Sequence, residues 1–233
     1  MKAEYDIRPP PESVVEHAAL RLPDRQFQSS ACVLVVVEGV NDVEFLRRIS
    51  AMLHKQDRYV PDLAARETNG ELVFLPIGGG SVTAWSDRLA PIGCREFHIY
   101  DRELPPETEL RQKAIRRIRS RPGCHAVLTS MRSLENYLHP DAVLAAGGPR
   151  LVFGDDDSVP ELVARRAFEA RHANVPWNTL TRRSQKRLSN HAKGWLNTRA
   201  VDCMTPRLLR ASDPRDDIIT WLATMDVLAG WQS

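Results

Sequence analysis

Five carboxylates stand where a chain could gather them around a cation: Glu38, Asp42, Asp101, Glu103 and Glu135. Glu38 closes the apolar run Cys32-Val33-Leu34-Val35-Val36-Val37, Asp101-Arg102-Glu103 follows Phe97-His98-Ile99-Tyr100, and Glu135 lies in Ser133-Leu134-Glu135-Asn136-Tyr137-Leu138. Short β-branched runs read as strands buried on both faces. An open parallel sheet places its binding crevice beyond the carboxyl ends of such strands. Acidic groups converging there repel one another unless a cation neutralises them, and oxygen ligands with residual water are what Mg²⁺ or Mn²⁺ prefers. The expectation is a metal-dependent site.

Spacing sharpens the expectation. If a helix starts near Val40, Glu38 and Asp42 project on one side of its first turn. Asp42 then either caps the helix, with Asn41, or faces the metal. Asp101 and Glu103, two apart, point the same way if the strand persists through Arg102, so both reach one cation. Two ions about 3.5–4 Å apart would activate a water and stabilise the leaving oxygen in phosphodiester hydrolysis.

The elements that must position these groups alternate. The strand at 32–37 leads by a Glu38-Gly39 turn into a helix over 42–53, with Val43, Leu46, Ile49 and Leu53 at helical spacing. A second unit follows: strand 72–76, the Gly78-Gly79-Gly80 turn, and a helix with Val82, Trp85 and Leu89. Strand 97–100 precedes a basic helix over 107–120 with Leu110, Ala114, Ile115 and Ile118 inward, and 126–128 reads as a fourth strand. This alternation predicts an α/β fold: an open parallel sheet flanked by helices. After Gly147-Gly148-Pro149 the pattern turns helical, clearest at 162–170 and at 216–228, where Ile218, Ile219, Leu222, Met225 and Leu228 form a stripe. The expected domains are an N-terminal arm over 1–31, the α/β domain over 32–146 and a helical extension over 147–233.

Net charge is only +2 over 233 residues, but the distribution is uneven. Residues 111–132 hold seven basic side chains, among them Arg116, Arg117 and Arg119, and no acid. Residues 170–201 repeat the bias with Arg182, Arg183, Lys186 and Arg187. Each run is either a solvated helix face or, beside an acidic metal site, a grip on nucleic-acid phosphates. Cys32, Cys94, Cys124 and Cys203 lie far apart without a Cys-x-x-Cys pair, which indicates reduced thiols rather than a zinc knuckle or disulfide scaffold. No signal peptide or run of roughly 20 apolar residues is present, so a cytoplasmic protein with no membrane partner is expected.

Val-Val-Glu-Gly-x-Asn-Asp followed by a strand ending in Asp-x-Glu resembles the TOPRIM domain of topoisomerases, bacterial primases, recombination mediators and OLD-family nucleases. Glu38 matches the first family Glu, and Asp101 and Glu103 match the later Asp-x-Asp, with Glu replacing the final Asp. The segment around Glu135 resembles the Leu-Glu-Asn-Tyr-Leu-like stretch of OLD-type domains, where the Glu helps bind a second metal, and Asp42 matches their acid one turn after the first Glu. The likeness covers about 32–140. It implies a Mg²⁺- or Mn²⁺-dependent endonuclease or nickase with two ions, acting on DNA or RNA in phage defence or plasmid maintenance. His191-Ala192-Lys193-Gly194-Trp195-Leu196 resembles the lysine stretch of some OLD-like nucleases, so Lys193 is either catalytic, a phosphate dock or solvent-exposed.

Gly78-Gly79-Gly80-Ser81 lacks the Lys-Ser/Thr of a P-loop, so an ATPase partner would be a separate polypeptide. Asp155-Asp156-Asp157 reads as a loop before a helix, and Trp177, Trp195 and Trp221 either pack or stack on bases. Two rival classes remain. A strand-transferring or polymerising TOPRIM enzyme would need a large gate or a zinc module, and a noncatalytic assembly module would not need Glu135.

Overall fold

A computed structural model describes residues 32–78 and 82–230. The expected N-terminal arm, and Gly79 and Gly80 of the glycine turn, lie outside the described residues. Strands β1 (Val33–Val37), β2 (Leu72–Pro76), β3 (Arg95–Tyr100) and β4 (Cys124–Leu128) form one sheet in the order β2-β1-β3-β4. Every pairing is parallel, as the strand-helix alternation predicts.

The two-residue period of a strand explains why β1 is apolar throughout. Val33, Val35 and Val37 pack on one face with Phe97 and Ile99, whereas Val36 packs on the other with Tyr100 and Ala126. Helices α1 (Val40–Gln56) and α2 (Leu63–Thr68) lie between β1 and β2, α3 (Val82–Arg88) between β2 and β3, and α4 (Glu107–Arg119) between β3 and β4. Trp85, Ala114, Ile115 and Ile118 cover the Val36 face, and Phe45, Leu46 and Ile49 of α1 join the Val35 face.

Beyond β4 the chain is helical: α5 (Pro140–Ala145), α6 (Val159–Arg171), α7 (Arg182–Trp195), α8 (Pro206–Ser212) and α9 (Asp217–Ala229). Val163, Ala192, Leu209, Trp221 and Met225 bury their side chains in the same apolar cluster as Val35. A π-helical turn, Leu196–Ala200, extends α7. Among the described residues no helix is long and apolar enough to cross a membrane.

Two apolar assignments shift. On α4 the inward position next to Ala114 and Ile115 belongs to Arg111, and Leu110 is 52% exposed, because Glu38 draws the guanidinium inward. On α9 the buried stripe runs through Ile218, Trp221, Leu222 and Met225, leaving Ile219 44% exposed. Trp177 and Trp221 are buried and Trp195 packs against the core, so packing accounts for all three.

A carboxylate and lysine cluster at the sheet's switch point

From β1 the chain moves to β2 on one side and then returns to β3 on the other. The space beyond the carboxyl ends of β1 and β3 is therefore the topological switch point, where open α/β sheets bind ligands. Glu38 follows β1 and Asp101 follows β3, and the Asp101 backbone N–H donates to Glu38 Oε1 at 3.1 Å.

Three further elements converge there. Helix α1 begins at Val40, and Asp42 in its first turn accepts the Gly39 N–H through Oδ2 at 2.8 Å. One oxygen thus caps the helix, and the other, Oδ1, is buried without a hydrogen-bond partner. The short 3₁₀ helix Leu134–Tyr137 is closed by a capping box between Ser133 and Asn136, which turns the buried Glu135 inward. Its first backbone N–H, from Leu134, donates to Asp101 Oδ1 at 3.2 Å. Helix α7 supplies Lys193.

The Lys193 ammonium sits among all three acids: Nζ is 3.4 Å from Asp42 Oδ1, 3.5 Å from Glu135 Oε1 and 3.9 Å from Asp101 Oδ2. Burial opposes its charge, but Glu135, Asp101 and Asp42 together hold its pKa above the ordinary lysine value. Burial likewise pushes Asp101 well above the usual carboxylate range, and the neighbouring Asp42, Glu135 and Glu38 add to the shift while Lys193 opposes it. Asp42 is raised for the same leading reason. One cation is thus shared by three buried acids, and the cluster is short of positive charge.

Asn197, in the π-helical turn, completes the lining. Its Nδ2 donates to Glu135 Oε1 at 2.5 Å and to the Lys193 carbonyl at 2.9 Å. π-turns recur at functional sites, but sequence spacing gives no sign of one here, and Asn197 was not foreseeable as a neighbour of Glu135.

No family model and no curated protein matches the chain. Among solved structures, the chain is similar to the C-terminal region of the Xanthomonas campestris pv. campestris OLD protein, with a TM-score of 0.40 and 12% identity over 84% of this chain and 95% of that one. At that TM-score and identity the likeness assigns neither family nor activity.

The grouping of acids differs from the expected one. Asp42, Asp101 and Glu135 meet at Lys193. Glu38 instead lies against Arg111 of α4, with Nε to Oε1 and Nη2 to Oε2 both at 2.9 Å. Glu103 does not extend the strand: β3 ends at Tyr100, Glu103 adopts a left-handed φ of 53°, and its carboxylate turns to Arg132 at 3.4 Å. Arg102 pairs with Asp156 and donates its N–H to Thr129. Among the described residues no three Asp, Glu, His or Cys side chains are grouped as ligands of one metal ion. The donor chemistry nevertheless suits a hard cation, since the converging atoms are carboxylate oxygens and Asp42 Oδ1 is met by the Lys193 ammonium only at 3.4 Å.

The basic segments lie on opposite faces of the sheet, α4 against the Val36 cluster and α7 against the Val35 cluster. Much of the first is engaged internally. Arg111 and Arg121 pair with Glu38 and Glu96, Arg117 with Asp87, and Arg119 donates to the Ala126 carbonyl. Arg116 is exposed, as are Arg182, Arg183, Lys186 and Arg187 at the start of α7.

Proposed function

We propose that this chain is a divalent-metal-dependent nucleic-acid phosphodiesterase, an endonuclease or nickase of OLD-type TOPRIM class. The observation that carries the reading is the convergence of Asp42, Asp101 and Glu135, from three separate segments, on one cationic position at the switch point of a parallel sheet. The sequence likeness around Glu38, Asp101, Glu103 and Glu135 supports it.

In this reading Asp42, Asp101 and Glu135 hold Mg²⁺ or Mn²⁺, and a second ion would require Glu38 and Glu103 to exchange Arg111 and Arg132 for it. The ion would polarise a phosphoryl oxygen and lower the pKa of a bound water. The remaining work falls to the chain. Lys193, once exchanged from the acids, offers its ammonium to charge developing on the scissile phosphate. Asn197 fixes Glu135, and Arg111 fixes Glu38. A separately encoded ATPase would be a partner rather than a part of this chemistry, and a cytoplasmic setting fits the substrate.

A second reading, a noncatalytic nucleic-acid-binding or assembly module, draws on one observation: an ammonium already fills the centre of the acids. Plasmid DNA incubated with the chain and Mg²⁺ or Mn²⁺ separates the two. Nicked or linear product, lost together with calorimetric Mn²⁺ binding in Asp101→Asn while the circular dichroism spectrum is kept, is the expected result. Intact plasmid and Mn²⁺ affinity equal in wild type and variant would overturn the phosphodiesterase reading.

A further inference from the structure

Helix α7 carries Lys193 near its end and four other cations near its start, Arg182, Arg183, Lys186 and Arg187. All four are exposed and, among the described residues, none makes an ion pair or a side-chain hydrogen bond. No acid occupies the first turn of α7, nor any position from 170 to 201. The amino end of a helix is already its positive pole, where cations are unfavourable and anions are favoured. Four cations at that pole, with no carboxylate on the segment, form a surface suited to an anion from outside the chain.

Helix geometry says which of them share a line with Lys193. At about 100° per residue, Arg182 and Lys186 fall within roughly 20° of Lys193 around the axis, whereas Arg183 and Arg187 are rotated by about 80° and 120°. Along the axis Lys186 lies about 10 Å and Arg182 about 16 Å before Lys193. Leu188, Ala192 and Trp195, which pack against the core, fall about 100° to 160° around the axis from Lys193. Gly194, beside Lys193, brings the carboxyl end of the helix against the start of α1, where an added Cβ would stand 3.6 Å from Asn41 Oδ1.

We propose that the Arg182, Lys186 and Lys193 line of α7 is a phosphate rail, along which a nucleic-acid strand runs from the open end of the helix into the carboxylate cluster, and that Arg183 and Arg187 lie off it. The rail rests on the phosphodiesterase reading for what happens at its inner end. Its spacing calls for a repeating anion, because single phosphates would leave the outer cations unmatched. Contacts of this kind fix position and carry no sequence preference.

The test compares two variants of equal charge on the same helix turn. Arg182→Gln with Lys186→Gln removes the line; Arg183→Gln with Arg187→Gln removes its neighbours. Binding of a labelled DNA strand and of the RNA of the same sequence is followed by fluorescence anisotropy in EDTA, so that no cleavage intervenes. The first variant should lose at least tenfold in affinity and flatten the slope of log K against log salt by about 1.4, the share of two single-strand phosphate contacts. The second should stay within about twofold of wild type. Either nucleic acid bound in this pattern supports the rail, the tighter one naming its substrate. Equal losses in both variants, or none in the first, would overturn the rail while leaving the plasmid assay to judge the activity. Absence of wild-type binding to either strand would overturn both.

Discussion

Arg111 and Glu38 meet as two parallel bonds of 2.9 Å, fork to carboxylate, with both side chains nearly buried. The pair ties α4 to the end of β1 and orients the carboxylate whose other contact is the Asp101 backbone. Bidentate guanidinium pairs fix geometry as well as charge.

Removing one partner leaves the other buried and uncompensated. Arg111→Met should therefore lower stability by about 3–5 kcal/mol, measured by urea unfolding. Adding Glu38→Gln to the same chain should return part of the loss. A double variant no more stable than Arg111→Met would show that the arginine acts through packing alone.

Lys193 is the counter-ion of three acids, so Lys193→Met should destabilise the chain in EDTA by about 3 kcal/mol. If a divalent ion can take the same position, Mn²⁺ should restore more stability to this variant than it adds to wild type. Thermal melts with and without Mn²⁺ read both effects. A melting temperature unmoved in EDTA would mean that protons, rather than the ammonium, neutralise Asp42, Asp101 and Glu135.

A buried polar chain on β3 predicts acid sensitivity. Arg121 pairs with Glu96, Glu96 Oε2 lies 2.7 Å from His98 Nε2, and His98 Nδ1 lies 2.7 Å from the Tyr100 hydroxyl. Burial lowers the His98 pKa below its ordinary 6.5, so the unfolded chain takes up this proton first. Stability should fall as pH drops from about 6.5. For Glu96 burial pushes upward, but the bonds from His98 and Arg121 leave its pKa below the ordinary 4.5. Its contribution is present above that value and lost below it, in the same direction. Urea midpoints between pH 7.5 and 5.5 should slope downward toward acid, and His98→Gln should flatten the slope. An equal slope in the variant would place the responsible proton elsewhere.

β1 was legible because a strand buried on both faces must be apolar without interruption; β2, at the sheet's edge, was legible from its apolar run although Val73 is exposed. The placing of Glu38 followed, since it ends such a run, and that of Asp101 followed from the Phe97-His98-Ile99-Tyr100 segment before it, which His98 interrupts. What the sequence hid were partners set by tertiary contact. Arg111 reads as one more cation of a basic helix, yet it turns inward because Glu38 is there to meet it. Glu103 reads as a strand residue, but the chain leaves the extended conformation after Tyr100. Asn197 is polar in a helical stretch with no periodic cue, and only the widened turn at Leu196–Ala200 brings it to Glu135.

Glu96, His98 and Tyr100 occupy alternate positions of β3 and are bonded end to end within the sheet face. Sliding β3 by one residue would send all three to the opposite side and bring Phe97 and Ile99 into their place. Apolar side chains tolerate such exchanges more readily than a bonded polar series, whose members would each lose a partner. The alignment of β3 beside β1, and with it the meeting of Asp101 with Glu38, is thus keyed by hydrogen bonding on one face as well as by the buried Phe97 and Ile99 on the other. Substitutions far from the acids, at Glu96 or Arg121, should disturb the site by loosening that key.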